Sequence, residues 1–300
     1  MGQGLYTKMI QVCSKSLGIP ISKIYINETS TNTVSNMSPS AASMSSDIYG
    51  MAILNACEIL NSRLAAIKKN NTNKSWDEWI NIAYLDRINL SAQGFCKIEK
   101  LDFDWSTSKG SPFNYFTYGC GCSLVEVDVL TGDFKVLKTD IVMDVGKSIN
   151  PAVDVGQIEG AFVQGMGLFT MEEMVYLNEG RNIQKGTVFT CGPGTYKIPC
   201  FGDIPANMRV YLLHNAPNER AVYSSKGIGE PPLFLGASVL FAIKDAIANV
   251  RRENGVTLTF RLNSPATSEH IRMLCSDFIT NIFIKEKEEG VAEEKWTVVP

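Results

Sequence analysis

The sequence predicts a mixed α/β fold, and three stretches carry that reading. Between Tyr6 and Leu17 the apolar residues Met9, Ile10, Cys13 and Leu17 recur at helical spacing, and Gly18 and Pro20 end the run. Val125, Val127 and Val129 alternate with Glu126 and Asp128, the period of a half-buried strand. Thr131-Gly132-Asp133 then turns the chain, and Phe134 to Met143 returns as the partner strand. Third, an apolar helix runs on from Pro231-Pro232 through Val250. Hydrophobic residues are 45% and charged residues 20% of the 300, enough to bury a core and too apolar for a disordered chain.

The other elements follow in chain order. Lys23 to Asn27 predicts a short strand. A run of small and hydroxylated residues, Thr31 to Ser46, leads into a long helix with Ile48, Met51, Ala52, Ala56, Ile59 and Ile67 on one face. Lys68 to Trp79 begins as a polar loop, and a second short helix opens at Ser75. After Asn150-Pro151 a glycine-rich helix covers about Ala152 to Met171, and Met208 to Leu213 predicts a strand. A short capped helix lies near Ser268 to Phe278, and the stretch Lys285 to Lys295 is mostly charged and expected to fray.

Several function classes are excluded at this level. The net charge is 28 − 31 = −3, without the basic stripe of a nucleic-acid binder. The apolar uncharged stretch Pro231 to Ile243 is too short to span a membrane. The eight cysteines lack zinc-ribbon spacing, and the one close pair, Cys120-Gly-Cys122, is expected to be buried thiol rather than metal ligand. Two histidines, His214 and His270, cannot build a multi-histidine metal site. A reducing, soluble, cytoplasmic compartment is expected.

Four motifs carry chemistry. Gly2-Gln3-Gly4 precedes the first helix: glycines admit a ligand close to the backbone, and Gln3 offers a donor and an acceptor, although an ordinary N-terminal turn has the same pattern. Ser38-Pro39 reads as an N-cap and first helical residue, so the first turn exposes N–H groups to an anion or simply packs on a neighbour. In Gly227-Ile228-Gly229-Glu230-Pro231-Pro232, Pro231 fits the first position of a helix and Glu230 its cap. A glutamate working there as a base near neutral pH needs desolvation, which Leu233-Phe234-Leu235 could supply. Gly156 and Gly160 fall on one helix face and allow close packing, the favoured reading, with Gln157 as a ligand contact the alternative and Glu159 a structural or solvated carboxylate. The pattern suits a phosphate-bearing cofactor beside an acid/base group.

In order along the chain, these motifs resemble the C-terminal part of the molybdopterin-binding region of the xanthine dehydrogenase/aldehyde oxidase family of molybdenum hydroxylases. The resemblance rests on MGQGLYTKMIQV, ETSTNTVSNMSPSAAS, LTGDFKVLKTDIVMDVGKSINPAVDVGQIEGAFVQGMGLFTMEE, GPGTYKIPCFGDIP, SSKGIGEPPLFLGASVLFAIKDAI and FRLNSPAT, and Gly186 to Cys191 reads as an insertion. It implies an α+β fold with one domain over residues 1–279 and a charged tail over 280–300. It implies a molybdenum–molybdopterin cofactor held by the pterin rather than by side chains. Gln3 is implied beside the metal, with Met1 and Gly2 lining the approach. Ala42, Ser43, Met44, Ser45 and Gln157 are implied to contact the pterin, and Ile228 to flank the site. Glu230 is implied as the general base in the hydroxylation of an aldehyde or N-heterocycle with water as oxygen source. The family's 2Fe-2S and FAD regions and the first part of its molybdopterin-binding region are not in these residues, so partner regions in cis or trans and a homodimer are implied. The alternative is a fragment that is non-catalytic until it joins them.

Overall fold

The structure is a computed structural model that describes residues 2–34, 36–98, 101–177 and 185–282. Met1 and the charged stretch Lys285 to Lys295 lie outside the described residues. The chain forms two compact units, each assembled from separated segments. The first comprises Met1–Tyr118, Asp144–Gln157 and Leu212–Pro231; the second comprises Gly119–Met143, Ile158–Tyr211 and Pro232–Pro300.

In the first unit, α1 (Leu5–Leu17) begins after Gly4 and stops at Gly18, both glycines being left-handed at φ 76° and 70°. The stop at Gly18 is the expected one, a C-cap that only a residue without Cβ adopts at low cost. Met9 and Val12 of α1 pack with Val222 against Tyr49, Ile53 and Leu54 of α2 (Ser45–Asn70). Ser75 caps α3 (Trp76–Leu85) in a reciprocal capping box with Glu78, which satisfies two orphan N–H donors and confirms the predicted start. Leu64 and Ile67 of α2 and Ala83 of α3 form a second small core with Trp76 and Trp79.

Three sequence expectations are corrected in this unit. Residues Ile21–Lys23 form a single 3-10 turn and Lys23 to Asn27 makes no strand. The buried stripe of α2 runs through Asp47, Gly50, Cys57, Leu64 and Ile67, while Met51 is exposed. Gly50 faces inward because Val222 approaches the helix closely there: a Cβ on Gly50 would sit 2.9 Å from Val222 Cγ1. Third, α2 starts at Ser45, so Ser38 is not its cap and Pro39 is not helical. Ala42 and Ser43 hold φ of 53° and 54°, which no right-handed helix tolerates, so the small-residue run loops before the helix can begin.

The second unit holds a three-stranded sheet in the order β1 (Gly119–Val127), β2 (Phe134–Met143), β3 (Asn207–Leu212). The predicted hairpin is present, with β1 and β2 antiparallel and a bulge between Leu124 and Val125. Helix α5 (Ala237–Glu253) lies on β1 and buries Val239, Ile243 and Ile247, spaced four apart. Together with the preceding 3-10 turn it spans Pro231–Glu253, which by length and composition is apolar enough to cross a membrane. It passes the length that the uncharged stretch alone misses because the helix continues through Lys244 and Asp245.

Ser123 Oγ lies 2.8 Å from Ser238 Oγ of α5, and Gly121 faces Leu235. The pleat therefore turns Cys120 and Cys122 the other way, and both thiols are exposed rather than buried as expected. Close helix packing falls not at Gly156 and Gly160, where an added Cβ meets nothing, but at Gly165. There the Leu233 carbonyl oxygen stands 1.8 Å from where a Cβ would lie. All three glycines belong to α4 (Pro151–Thr170), whose buried residues from Ile158 onward include Ile158, Phe162 and Met166. The short helix α6 is Ser268–Leu274, with Ile271 buried. The segment read as an insertion pairs antiparallel with the chain before it, Phe189 N–H donating to the Val175 carbonyl.

Candidate functional site

The candidate site lies wholly in the first unit and is organised by the segment Ser224–Glu230. That segment is held on one side by Val145–Lys147: Lys226 N–H donates to the Val145 carbonyl at 3.0 Å and Lys147 N–H to the Ser224 carbonyl at 2.7 Å. Gly146, at φ 61°, permits this approach, because a Cβ there would lie 2.2 Å from Ser224 O. Beneath it, Lys226 Nζ makes a buried ion pair with Asp144 Oδ2 at 2.5 Å and donates to the Phe116 carbonyl at 2.7 Å.

Three remote stretches meet beyond Lys226. Gly227 lies on the Ser43 carbonyl, 2.7 Å from where its Cβ would be, and Gly229 lies against Ser43 Oγ and Gln157 Oε1, at 2.9 and 3.5 Å from its missing Cβ. Ser43 Oγ donates to Glu230 Oε2 at 2.8 Å. A side chain on Gly227 would press on the Ser43 backbone, and one on Gly229 would displace the Ser43 hydroxyl. Glu230 itself is exposed. Pro231 opens a 3-10 turn, Pro231–Gly236, rather than the helix proper. Ile228 is buried.

The Gly2-Gln3-Gly4 motif stands in a cleft of about 1150 Å³ with Thr29, Met37, Ser38, Ser40 and the stretch Ser91–Cys96. Gly2 is left-handed at φ 78°, and a Cβ on Gly4 would strike Val153 Cγ2 at 2.6 Å. Two groups of residues are therefore formed: Gln3 with Met37–Ser40 in the cleft, and Ser43 bonded to Glu230 with Gln157 beside Gly229. The loop from Ser38 to Ser43 is common to both. Met44 takes the N-cap position of α2 without a side-chain bond and Ser45 is its first helical residue, so the N–H groups of that first turn are uncapped by side chains. Ala42 is exposed in the left-handed turn before it.

Sequence reasoning missed Asp47 and Tyr115. The Gly227 N–H donates to Tyr115 Oη at 2.7 Å, and the Tyr115 hydroxyl donates to Asp47 Oδ2 at 2.5 Å. Asp47 is buried, and its Oδ1 has no hydrogen-bond partner among the described residues. The only sequence signal was an acidic residue in the first turn of an apolar helix, which the helix dipole alone accounts for. The wall Ser91–Cys96 was missed as well, its one signal being Gly94, whose Cβ would lie 1.8 Å from the Ala52 carbonyl oxygen.

Burial raises the Asp47 carboxyl above its ordinary 3.8, against the Tyr115 hydrogen bond and the Lys8 charge, which lower it. Burial, then the Asp47 charge, likewise raises the Tyr115 phenol. A carboxyl with a raised folded-state pKa holds more protons folded than unfolded, so its contribution to stability falls as pH rises through that range. Asp47→Asn is therefore expected to gain stability relative to the wild type as pH rises from the ordinary carboxyl value through the raised folded-state one. Urea unfolding across the pH series checks this; a difference that stays flat refutes it.

Residues 1–205 match the family described as molybdopterin cofactor-binding domain. The chain is 60% identical over 282 residues to the xanthine dehydrogenase/oxidase of Gallus gallus, a match covering 94% of this chain and 20% of that protein. It is 54% identical over 301 residues to that of Felis catus, covering 99% and 22%. Among solved structures, the aldehyde oxidoreductase of Desulfovibrio gigas matches with a TM-score of 0.71 and 25% identity, over 91% of this chain and 28% of that one. The chain thus spans about a fifth of the length of the curated relatives it matches. The glycine loop at Glu230, the Ser38–Ser45 turn and the Gln3 cleft stand in the same chain order as the motifs of the resemblance. On that order, the profile match and these identities, the chain belongs to the xanthine dehydrogenase/aldehyde oxidase family of molybdenum hydroxylases, within its molybdopterin cofactor-binding region.

Proposed function

We propose that this chain provides part of the active site of a molybdenum-cofactor oxidoreductase that hydroxylates an aldehyde or an N-heterocycle such as a purine. Water is the oxygen source and Glu230 the general base. The observation that supports the reading is the Ser43–Glu230 hydrogen bond, with Gln157 brought beside Gly229 from a third distant stretch.

The residues fit a phosphate-bearing pterin cofactor. The first-turn N–H groups of α2 beside Ser38, Ser40, Ser43 and Ser45 suit an anionic group, and the amides of Gln3 and Gln157 offer both a donor and an acceptor. Ala42, Ser43, Met44, Ser45 and Gln157 would hold the pterin, Ile228 would flank it, and Gln3 with Met1 and Gly2 would line the approach to the metal. When bound, the molybdenum centre supplies the acceptor for two electrons. The overall change is R–H plus water to R–OH plus two protons and two electrons, and Glu230 takes one of the protons. Because Ser43 occupies Oε2, Oε1 is the oxygen left to accept it. The single domain over residues 1–279, a homodimer and a cytoplasmic location belong to the same reading.

One observation favours a second reading of the isolated chain. It spans about a fifth of its relatives' length, and Phe113, Phe116 and Tyr118 are each more than half exposed in the first unit. On that reading the chain turns over no substrate until the further regions carried by its relatives join it. The test is isotopic. Holoenzyme containing this chain, turned over in ¹⁸O-labelled water, is expected to give labelled product, while label arriving from molecular oxygen refutes the reading. The same assay on the isolated chain separates the fragment reading, which requires no product.

A further inference from the structure

Glu230 is exposed, and Ser43 Oγ is its one hydrogen-bonding side chain among the described residues. Its place therefore depends on the backbone of Gly227-Ile228-Gly229, and two glycines in three residues leave that backbone free unless something pins it. Tyr115 and Asp47 supply that pin. The Gly227 N–H, the Tyr115 hydroxyl and the Asp47 carboxyl form a chain of hydrogen bonds that all donate in one direction, at 2.7 and 2.5 Å. Bonds so aligned polarise one another.

Asp47 is buried in the first turn of α2, and among the described residues its other oxygen has no hydrogen-bond partner, so the Tyr115 bond is the hydrogen bond its side chain makes there. Gly227 is wedged between two groups: its missing Cβ would lie 2.7 Å from the Ser43 carbonyl oxygen and 3.2 Å from Tyr115 Oη. Ser43 is also the residue that binds Glu230. One end of the loop is thus fixed to Tyr115 and the other to Ser43, and Ser43 and Asp47 are four residues apart around the start of α2.

We propose that Tyr115 and Asp47 are positioning residues that lock the Gly227–Glu230 loop and so set where the Glu230 carboxylate stands. The inference rests on the reading of Glu230 as the base. Neither residue touches the reacting atoms; Tyr115 acts through Gly227, and Asp47 acts through Tyr115. Lys8 contributes charge near Asp47, and Cys96 feels the Asp47 charge, but neither bonds to the loop.

The test uses holoenzyme containing this chain and reads amide exchange by mass spectrometry together with single-turnover substrate oxidation. Tyr115→Phe keeps the ring and removes the hydroxyl. It is expected to speed exchange of the Gly227 amide about tenfold. It should slow the oxidation step about tenfold, leaving the substrate dissociation constant unchanged. Asp47→Asn, which still presents an oxygen to the Tyr115 hydroxyl, should keep both readouts close to their wild-type values, whereas Asp47→Leu should reproduce Tyr115→Phe. A fast-exchanging Gly227 with an unchanged oxidation step overturns the proposal, as does Asp47→Asn behaving like Asp47→Leu. Glu230→Gln serves as the control. It should slow oxidation without altering Gly227 exchange, and wild-type oxidation in that variant would refute the base while leaving the exchange results standing.

Discussion

Glu230→Gln in the holoenzyme is expected to slow substrate oxidation by about 10²- to 10⁴-fold, the usual contribution of a positioned general base. The substitution is nearly isosteric, and its amide oxygen still accepts the Ser43 hydroxyl at the position of Oε2. What it loses is the capacity to take a proton. The loss should therefore fall on the chemical step and leave substrate binding alone, so the rate and the dissociation constant separate in rapid-mixing experiments. Because Glu230 is exposed within this chain, the result also discriminates between roles. A glutamate that only caps the Pro231–Gly236 turn would cost some stability and no chemistry.

The second large effect is one of stability. Lys8 of α1 and Asp154 of α4 form a buried ion pair, with side chains 6% and 4% exposed and the atoms 2.5 Å apart. Ser148 Oγ donates to the other oxygen of Asp154 at 2.5 Å. This pair fixes the first turn of α4 to α1 just where Gly4 presses on Val153, and it thereby seats the Gly2-Gln3-Gly4 turn. Lys8→Met strands a buried carboxylate and should cost about 3–5 kcal/mol. Adding Asp154→Leu removes the stranded charge and should recover most of that loss, since a buried pair replaced by apolar side chains is often neutral. Urea midpoints at constant slope measure both variants. A single variant as stable as the wild type would show the pair to be energetically idle.

Much of the fold was legible because its signals are local. The Gly18 stop, the Ser75–Glu78 box and the alternating valines each act within a few residues, and α1, α3 and the β1–β2 hairpin stand where those signals put them. Errors arose where one local rule competed with another. Ser38-Pro39 has the chemistry of a helix start, but the left-handed Ala42 and Ser43 postpone the helix to Ser45. Gly156 and Gly160 have the spacing of a packing face, yet Gly165 is the glycine pressed against a backbone. Cys120 and Cys122 looked buried by composition, and the pleat turned them outward.

The sequence by itself determined the chemical inventory. It named a hydroxylated loop before a helix, amides at Gln3 and Gln157, and a glutamate after two glycines, and their order along the chain pointed to the family. Only the tertiary structure decided which of these groups meet. Ser43 reaches Glu230 across 187 positions, Tyr115 reaches Asp47 across 68, and Gly227 reaches Tyr115 across 112. A contact of that range leaves no periodicity and no cap in the chain, because its energy comes from groups that are neighbours only after α1, α2 and the Ser224–Glu230 segment have packed. The carboxyl of Asp47 shows the point most sharply: in the sequence it is an acid in the first turn of a helix, and in the folded unit it is a buried group held above its ordinary pKa by the loss of water.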